Sequence, residues 1–214
     1  QKRLFFLIES IKLKSYQHIL KKATSLAVIS ENDKEYFNRI NKETFLLHPF
    51  HSNSMIDSKP GKGSFYLYHA NLEVPENIQA VWFLIANVFS KLNFKLVIAG
   101  KNPEANLKAY IKSQSNLVLV ENPDEDEMSQ LISDAHAIVL YTQQSTGVKL
   151  KLLESLYKGR FCIANSLMTE GTGLEDLCLA ADTADEFISQ IQKITGQDFT
   201  EEDLKKREAL LEEY

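Results

Sequence analysis

The chain has 214 residues, of which 44% are hydrophobic and 25% charged, a composition that excludes disordered and fibrous classes. That length accommodates one large domain, or one domain with a fragment of another. A net charge of -5 disfavours nucleic acid or an anionic membrane as main partner, so any phosphate must be held by local geometry and not by a broad positive field.

No apolar run approaches the roughly 20 residues that a membrane span requires. Cys162 and Cys178 lack metal or redox spacing and lie in apolar stretches, which predicts two buried, reduced thiols. The chain opens on Gln1 without a methionine or a signal-peptide pattern. The expectation is a piece of a longer cytoplasmic protein.

In chain order, Glu9–Lys22 reads as a helix and Ser25–Ile29 as a strand. Ser30 is placed to cap a helix running through Asn38, and Thr44–Leu47 reads as a second strand. His48 and His51 flank Pro49 in a structural turn; with no third ligand at metal spacing, zinc is not expected. Residues 52–63, polar with Pro60, Gly61 and Gly63, read as an interdomain linker.

From Ser64 onward, short β-rich runs alternate with helical runs. The predicted strands are Phe65–His69, Lys95–Ala99, Asn116–Val120, Ala137–Tyr141, Arg160–Ala164 and Leu177–Ala180. Most are continuously apolar, as befits central strands of a parallel sheet covered on both faces. The intervening helices are Glu76–Leu92 (after Pro75), Pro103–Ser113, Asp124–Ala135, Lys149–Lys158 (stopped by Gly159) and Ala184–Ile194. Pro75 suits a first helical position, and Gly159 suits a helix end. The acidic run at 124–127 complements a helix N-terminus and is not read as a metal site. Trp82 falls on the apolar face of its helix. Thr200–Tyr214 reads as a charged helix with a capping box at Thr200 and Asp203.

Repeated strand–helix–strand order predicts an α/β fold with a doubly wound, Rossmann-like parallel sheet of about six strands, preceded by the remnant of another α/β domain. The expected division is 1–51 remnant, 52–63 linker, 64–198 main domain and 199–214 C-terminal helix.

In such a sheet, ligands bind outside the carboxyl ends of the strands where the strand order reverses. This singles out the loops 69–76 and 142–148. The second brings Ser145, Thr146 and Gly147 to a helix N-terminus, where free N–H groups and the helix dipole can hold a phosphate. Lys149 and Lys151 add charge there. Lys151 and Glu154 are three apart and share a helix face. One reading makes them a surface ion pair. The other places Glu154 on a ribose diol and Lys151 near a diphosphate. His69 ends the first strand facing the crevice, either as a site residue or as a satisfied structural histidine. The loop around Asn122 is a candidate for backbone contacts to a base. Residues 169–174, small apart from Glu170 and Leu174, are read either as a loop closing over the ligand or as plain surface.

Several segments then carry a resemblance, in order: 74–83, beginning Val74, Pro75, Glu76; 96–103, with Ala99, Gly100 and Pro103; 133–137; and 147–154, from Gly147 to Glu154, continuing through Gly159 into the fifth strand. Over about Phe65 to Ile194 the chain resembles the second, nucleotide-sugar-binding domain of GT-B-fold retaining glycosyltransferases of the group 1 type. The stretch before it is similar to the end of that family's first domain.

The resemblance implies transfer of a sugar from a nucleoside-diphosphate sugar to the hydroxyl of a glycan or other acceptor, with retention, in polysaccharide biosynthesis. It implies no metal and no cofactor beyond that substrate. Any membrane contact is peripheral and made by the first domain, which also carries most of the catalytic residues. Glu154 matches the family's ribose-binding glutamate, and Gly147 with the residues before it matches the loop near sugar and phosphates. Two departures stand out. The additional glutamate eight residues before the ribose glutamate is Thr146 here. The basic pair after the first strand is replaced by His69, Asn71 and Asn77, leaving Lys149 and Lys151 as compensating charges. Two alternative readings are a non-catalytic nucleotide-sugar-binding module of the same fold and a nucleotide-sugar epimerase.

Overall fold

A computed structural model of the chain describes residues 2–47, 55–144 and 149–211. It divides into two compact units, Gln1–Phe50 and His51–Tyr214.

In the first unit, α1 (Lys2–Tyr16) tightens into a 3-10 turn at Gln17–Lys22. There follow β1 (Leu26–Val28), α2 (Glu31–Phe37) and β2 (Thr44–Leu46), with β1 and β2 paired in parallel. Ser30 caps α2 as expected, its hydroxyl accepting from the Asp33 N–H at 3.1 Å. α1 begins seven residues earlier than the predicted Glu9. Residues 4–8 are an unbroken apolar run, so they show no amphipathic period from which to read a helix. Leu4, Phe5, Phe6, Leu7, Ile11 and Leu13 are exposed within this unit.

The second unit contains β3 (Tyr66–Asn71), α3 (Pro75–Phe83), β4 (Leu96–Lys101), α4 (Ala105–Lys112), β5 (Leu117–Glu121), α5 (Glu125–Asp134), β6 (Ala137–Leu140), α6 (Leu150–Lys158), β7 (Phe161–Ala164), α7 (Ser166–Thr169), β8 (Leu179–Ala180), α8 (Ala184–Ile194) and α9 (Glu201–Leu211). All six strands are parallel, in the order β5-β4-β3-β6-β7-β8. This is the doubly wound topology expected from the sequence. The apolar strands split their side chains between two cores. One, built on Tyr68, Leu84, Phe89, Ile98 and Phe187, lies under α3, α4 and α8. The other, built on Leu67, Ile132, Ile138, Leu152 and Leu156, lies under α5 and α6.

The predicted helix Glu76–Leu92 is broken. α3 stops at Phe83, a wide π turn spans Leu84–Val88, and a 3-10 turn follows at Phe89–Lys91. The Asn87 amide donates to the Phe83 carbonyl at 3.1 Å and the Ser90 hydroxyl to the Ala86 carbonyl at 2.7 Å. Side chains that bond back to their own turn compete with the regular ladder.

Residues 55–63 are fastened to the second unit. Asp57 N–H donates to the Tyr157 carbonyl at 2.8 Å, and Gly61 exchanges both backbone hydrogen bonds with Phe199. Ser58 is buried against the end of α6, where its hydroxyl accepts from Arg207 at 2.7 Å. Two buried arginines close successive helix ends. Arg160 donates to the Ser133 and Ala135 carbonyls at the end of α5. Arg207, 2% exposed, donates to the Leu156, Gly159 and Arg160 carbonyls at the end of α6. Each places a cation at the negative pole of a helix dipole. The Thr200–Asp203 capping box is present at the start of α9. Of the two cysteines, Cys162 is buried as expected, but Cys178 is only half-buried; both are free thiols.

Candidate functional site

The strand order reverses between β3 and β6. β3 pairs with β4 along all six residues but with β6 only at Tyr66–Ala137 and Leu67–Ile138. Beyond Leu67 the two strands part, and their carboxyl ends frame the crevice that a doubly wound sheet offers to a ligand. Three side chains set its walls. Asn71 ends β3 and forms its own turn, its side-chain oxygen accepting from the Glu73 N–H at 3.0 Å and its carbonyl from the Asn77 amide at 2.9 Å. Asn165, after β7, clamps the base of the β6–α6 loop through both the N–H and the carbonyl of Thr142, at 3.0 and 2.8 Å. Asn165 was not a sequence candidate for the site, yet it and Asn77 hold its loops.

α6 supplies the charged wall. Its cap residue, Lys149, makes no side-chain cap hydrogen bond, and the helix dipole leaves partial positive charge at this end. Lys149 sits at the cap position, one residue before the helix and not inside it as predicted. Its ammonium donates to the Gln144 carbonyl at 3.0 Å and feels the Glu170 carboxylate. Lys151 and Glu154 do not form the surface pair that their spacing suggests. Glu154 instead meets Lys158 one turn on, at 3.2 Å, and keeps a third of its side chain open. Lys151 turns to β3 and α3: its ammonium donates to the Asn77 side-chain oxygen at 3.4 Å and lies 5.8 Å over the Tyr68 ring. Tyr68 in turn donates to the Asn77 carbonyl at 3.2 Å. Among the described residues no carboxylate is paired with Lys151. Burial first, and the neighbouring Lys149 second, pull its pKa down to about 8.

His69 does not open onto the crevice. It is 4% exposed and bonded to the Ser155 hydroxyl at 3.1 Å. That hydroxyl gives its own proton to the Lys151 carbonyl, so it accepts from a protonated Nε2. His69 therefore ties β3 to α6 as a structural histidine. Burial, then Lys151 and Lys158, push its pKa down to about 4. The unfolded chain thus binds more protons than the folded one between pH 6.5 and about 4, and stability falls with falling pH across that window. The gap is worth roughly 3 kcal/mol as an upper bound. His69→Gln, which keeps a donor but cannot titrate, is expected to flatten the melting temperature against pH in that range. An unchanged slope would show that His69 does not set it.

The Asn122 side chain is engaged within the protein. Its oxygen accepts from the Asn102 N–H at 2.8 Å, and its own N–H donates to the Gly100 carbonyl at 2.9 Å. Both asparagines have left-handed backbones, φ 52 and 51, which their residue type tolerates. The pair locks the loops after β4 and β5. Ser145, Thr146 and Gly147 lie outside the described residues. Among the described residues, no group of three or more His, Cys, Asp or Glu is placed to hold a metal ion, and no helix is long and apolar enough to cross a membrane.

Residues 64–197 match the family model described as "Glycosyl transferases group 1". The chain is 33% identical over 147 residues to an uncharacterized 44.6 kDa protein in the cps region of Klebsiella pneumoniae, covering 61% of this chain and 38% of that protein. Its fold is similar to crystal structures of TarM (TM-score 0.69, 15% identity, 94% of this chain and 43% of that one) and of the GtfA/B complex (0.67, 17%, 93% and 44%). An S. aureus TarM variant in complex with fondaparinux, alpha-GlcNAc-glycerol and UDP aligns with TM-score 0.70 at 16% identity, over 95% of this chain and 44% of that one. The chain thus spans less than half the length of these relatives.

Proposed function

The chain belongs to the glycosyl transferases group 1 family, and from that premise we propose that it is the donor-binding half of a glycosyltransferase. The donor is a nucleoside-diphosphate sugar, and the sugar passes to an acceptor hydroxyl on a glycan or similar molecule. The observation that carries this reading is the half-buried ammonium of Lys151. Among the described residues it has no paired carboxylate, and it stands by the N-terminus of α6, at the point where the strand order reverses. A desolvated cation beside the positive pole of a helix dipole is an anion site, and a diphosphate fits it. Glu154, one turn along the same helix face, is placed to accept two ribose hydroxyls. The UDP in the structure of the TarM variant supports the same ligand class.

In this reading Lys151, delivered through Asn77, replaces the basic pair absent from the β3–α3 loop. As the sugar leaves, charge builds on the diphosphate, and the ammonium with the helix dipole stabilises it without a metal. Retention at the anomeric carbon is part of the proposal, with acceptor and most catalytic groups supplied by the first domain. The cps-region relative supports a setting in polysaccharide biosynthesis. Titration with UDP and GDP, using Glu154→Ala as control, tests the proposal.

A further inference from the structure

Cys162 is the second residue of β7, and Cys178 immediately precedes β8. Ile163 pairs with Leu179 and Ala164 with Ala180, so one step back along both parallel strands sets Cys162 opposite Cys178. Cys178 is extended there, φ -118 and ψ 148, and continues the register. Both cysteines point to the same side of the sheet as Ala164 and Ala180, because side chains alternate with period two. Cys162 and Ala164 belong to one core cluster against which Cys178 packs. Parallel strands lie about 4.8 Å apart, inside the range of roughly 4.4–6.8 Å over which a disulfide joins two Cα atoms.

Access is one-sided. Cys178 lines a cavity of about 380 Å³ together with Ser166, Thr169, Glu170, Glu175 and Ala180. Cys162 is 1% exposed behind it. At Cys162 the neighbouring Cys178 thiol and burial outweigh the cation of the buried Arg207 and hold the pKa well above the usual thiol value.

We infer that Cys162 and Cys178 form a dithiol site that exchanges with small neutral or cationic disulfides. Cys178 loses its proton to solvent and its thiolate attacks one sulfur of the incoming disulfide. A mixed disulfide forms and one small thiolate leaves. Cys162 then gives up its proton and attacks the Cys178 sulfur; the protein disulfide forms and the second small thiolate departs. One small disulfide is reduced to two thiols, and one protein dithiol is oxidised. The neighbouring Cys178 thiol is the first cause that holds the Cys162 thiol protonated, with burial second. Capping the Cys178 sulfur weakens the first, which readies Cys162 for the second step. Glu170 and Glu175 at the cavity mouth repel anionic disulfides.

The test is incubation of the folded 214-residue chain with cystamine, or with glutathione disulfide, followed by intact-mass and peptide analysis. The expected result is loss of two hydrogens and a Cys162–Cys178 linked peptide, formed at least tenfold faster with cystamine. In Cys162→Ser, a cysteamine adduct is expected to persist on Cys178. Either of two results would overturn the inference: an adduct on Cys178 that the unaltered chain never resolves, or two thiols that react only after unfolding. Faster reaction with glutathione disulfide would overturn the assigned charge preference. The readout is thiol mass alone, so the outcome is independent of nucleotide binding.

Discussion

Arg207→Met is expected to lower the unfolding free energy by about 4 kcal/mol, the largest effect of any single change outside the apolar core. Arg207 reaches in from α9 and serves the Leu156, Gly159 and Arg160 carbonyls and the Ser58 hydroxyl. Its guanidinium also stacks 4.5 Å over Phe199. Methionine keeps the apolar stem but removes the donor to three buried carbonyls; Gly159 keeps the Ser58 hydroxyl at 2.6 Å, and the others cost about 1–3 kcal/mol each when left unpaired, with some relief from water entry. Burial lowers the Arg207 pKa to about 10, so the side chain remains charged at neutral pH. Arg207→Lys should recover less than half of the loss, because one ammonium cannot reproduce the planar fork. Urea unfolding at constant slope measures both changes. A loss below about 1 kcal/mol for Arg207→Met would mean that α9 is not fixed through this side chain.

Lys151→Met is expected to weaken nucleoside diphosphate binding by about 1.5–3 kcal/mol, the range for a charged hydrogen bond, or between tenfold and a hundredfold. The same variant should leave the fold intact, since methionine restores apolar contact with Tyr68. Lys151 also gives binding a pH signature. Its pKa falls from 10.5 to about 8 on folding, so the unfolded chain holds more protons between those values. Stability therefore rises with pH across that window. Diphosphate affinity moves the other way, falling as pH rises through about 8 and the ammonium is lost. A bound diphosphate pulls the pKa back up, so binding above pH 8 takes up a proton. Calorimetry in buffers of different ionisation enthalpy reads that uptake directly. Equal affinity for wild type and Lys151→Met, with no proton uptake, would remove Lys151 from the site.

The sheet was legible because its strands are continuously apolar and its connections short. β3 through β8 fall within two residues of their expected positions at each end, and the strand order follows from the repeated right-handed crossover. Ala184–Ile194 was read to the residue, since Thr183 and Glu186 form a capping box at its start. What local pattern missed was set by tertiary contacts. The helix after Pro75 has unbroken apolar spacing, yet the back-bonding of Asn87 and Ser90 widens and ends it. Arg207 stood in a helix dismissed as charged, although Leu204, Arg207 and Leu211 occupy one face at core spacing; an arginine on such a stripe is a sign of buried capping.

In the site, the residue types were legible but not their partners. Spacing alone left Lys151 and Glu154 either as an ion pair or as separate ligand contacts. The structure gives Glu154 to Lys158, also on α6, and Lys151 to Asn77, seventy-four positions earlier in the chain. For His69 the sequence offered a site residue or a satisfied structural histidine; the Ser155 hydroxyl across the sheet–helix contact makes it the second. The Asn102–Asn122 lock depends on two loops meeting and has no signature in either one.

The most direct test of the donor-site assignment is calorimetric titration of the chain with UDP and with GDP, repeated with Glu154→Ala. The account predicts binding to one of the two nucleotides, weakened by about 1–3 kcal/mol when the carboxylate is removed, with unchanged thermal melting of the variant. Binding that Glu154→Ala leaves unaltered, or no binding of either nucleotide to the folded chain, would contradict it.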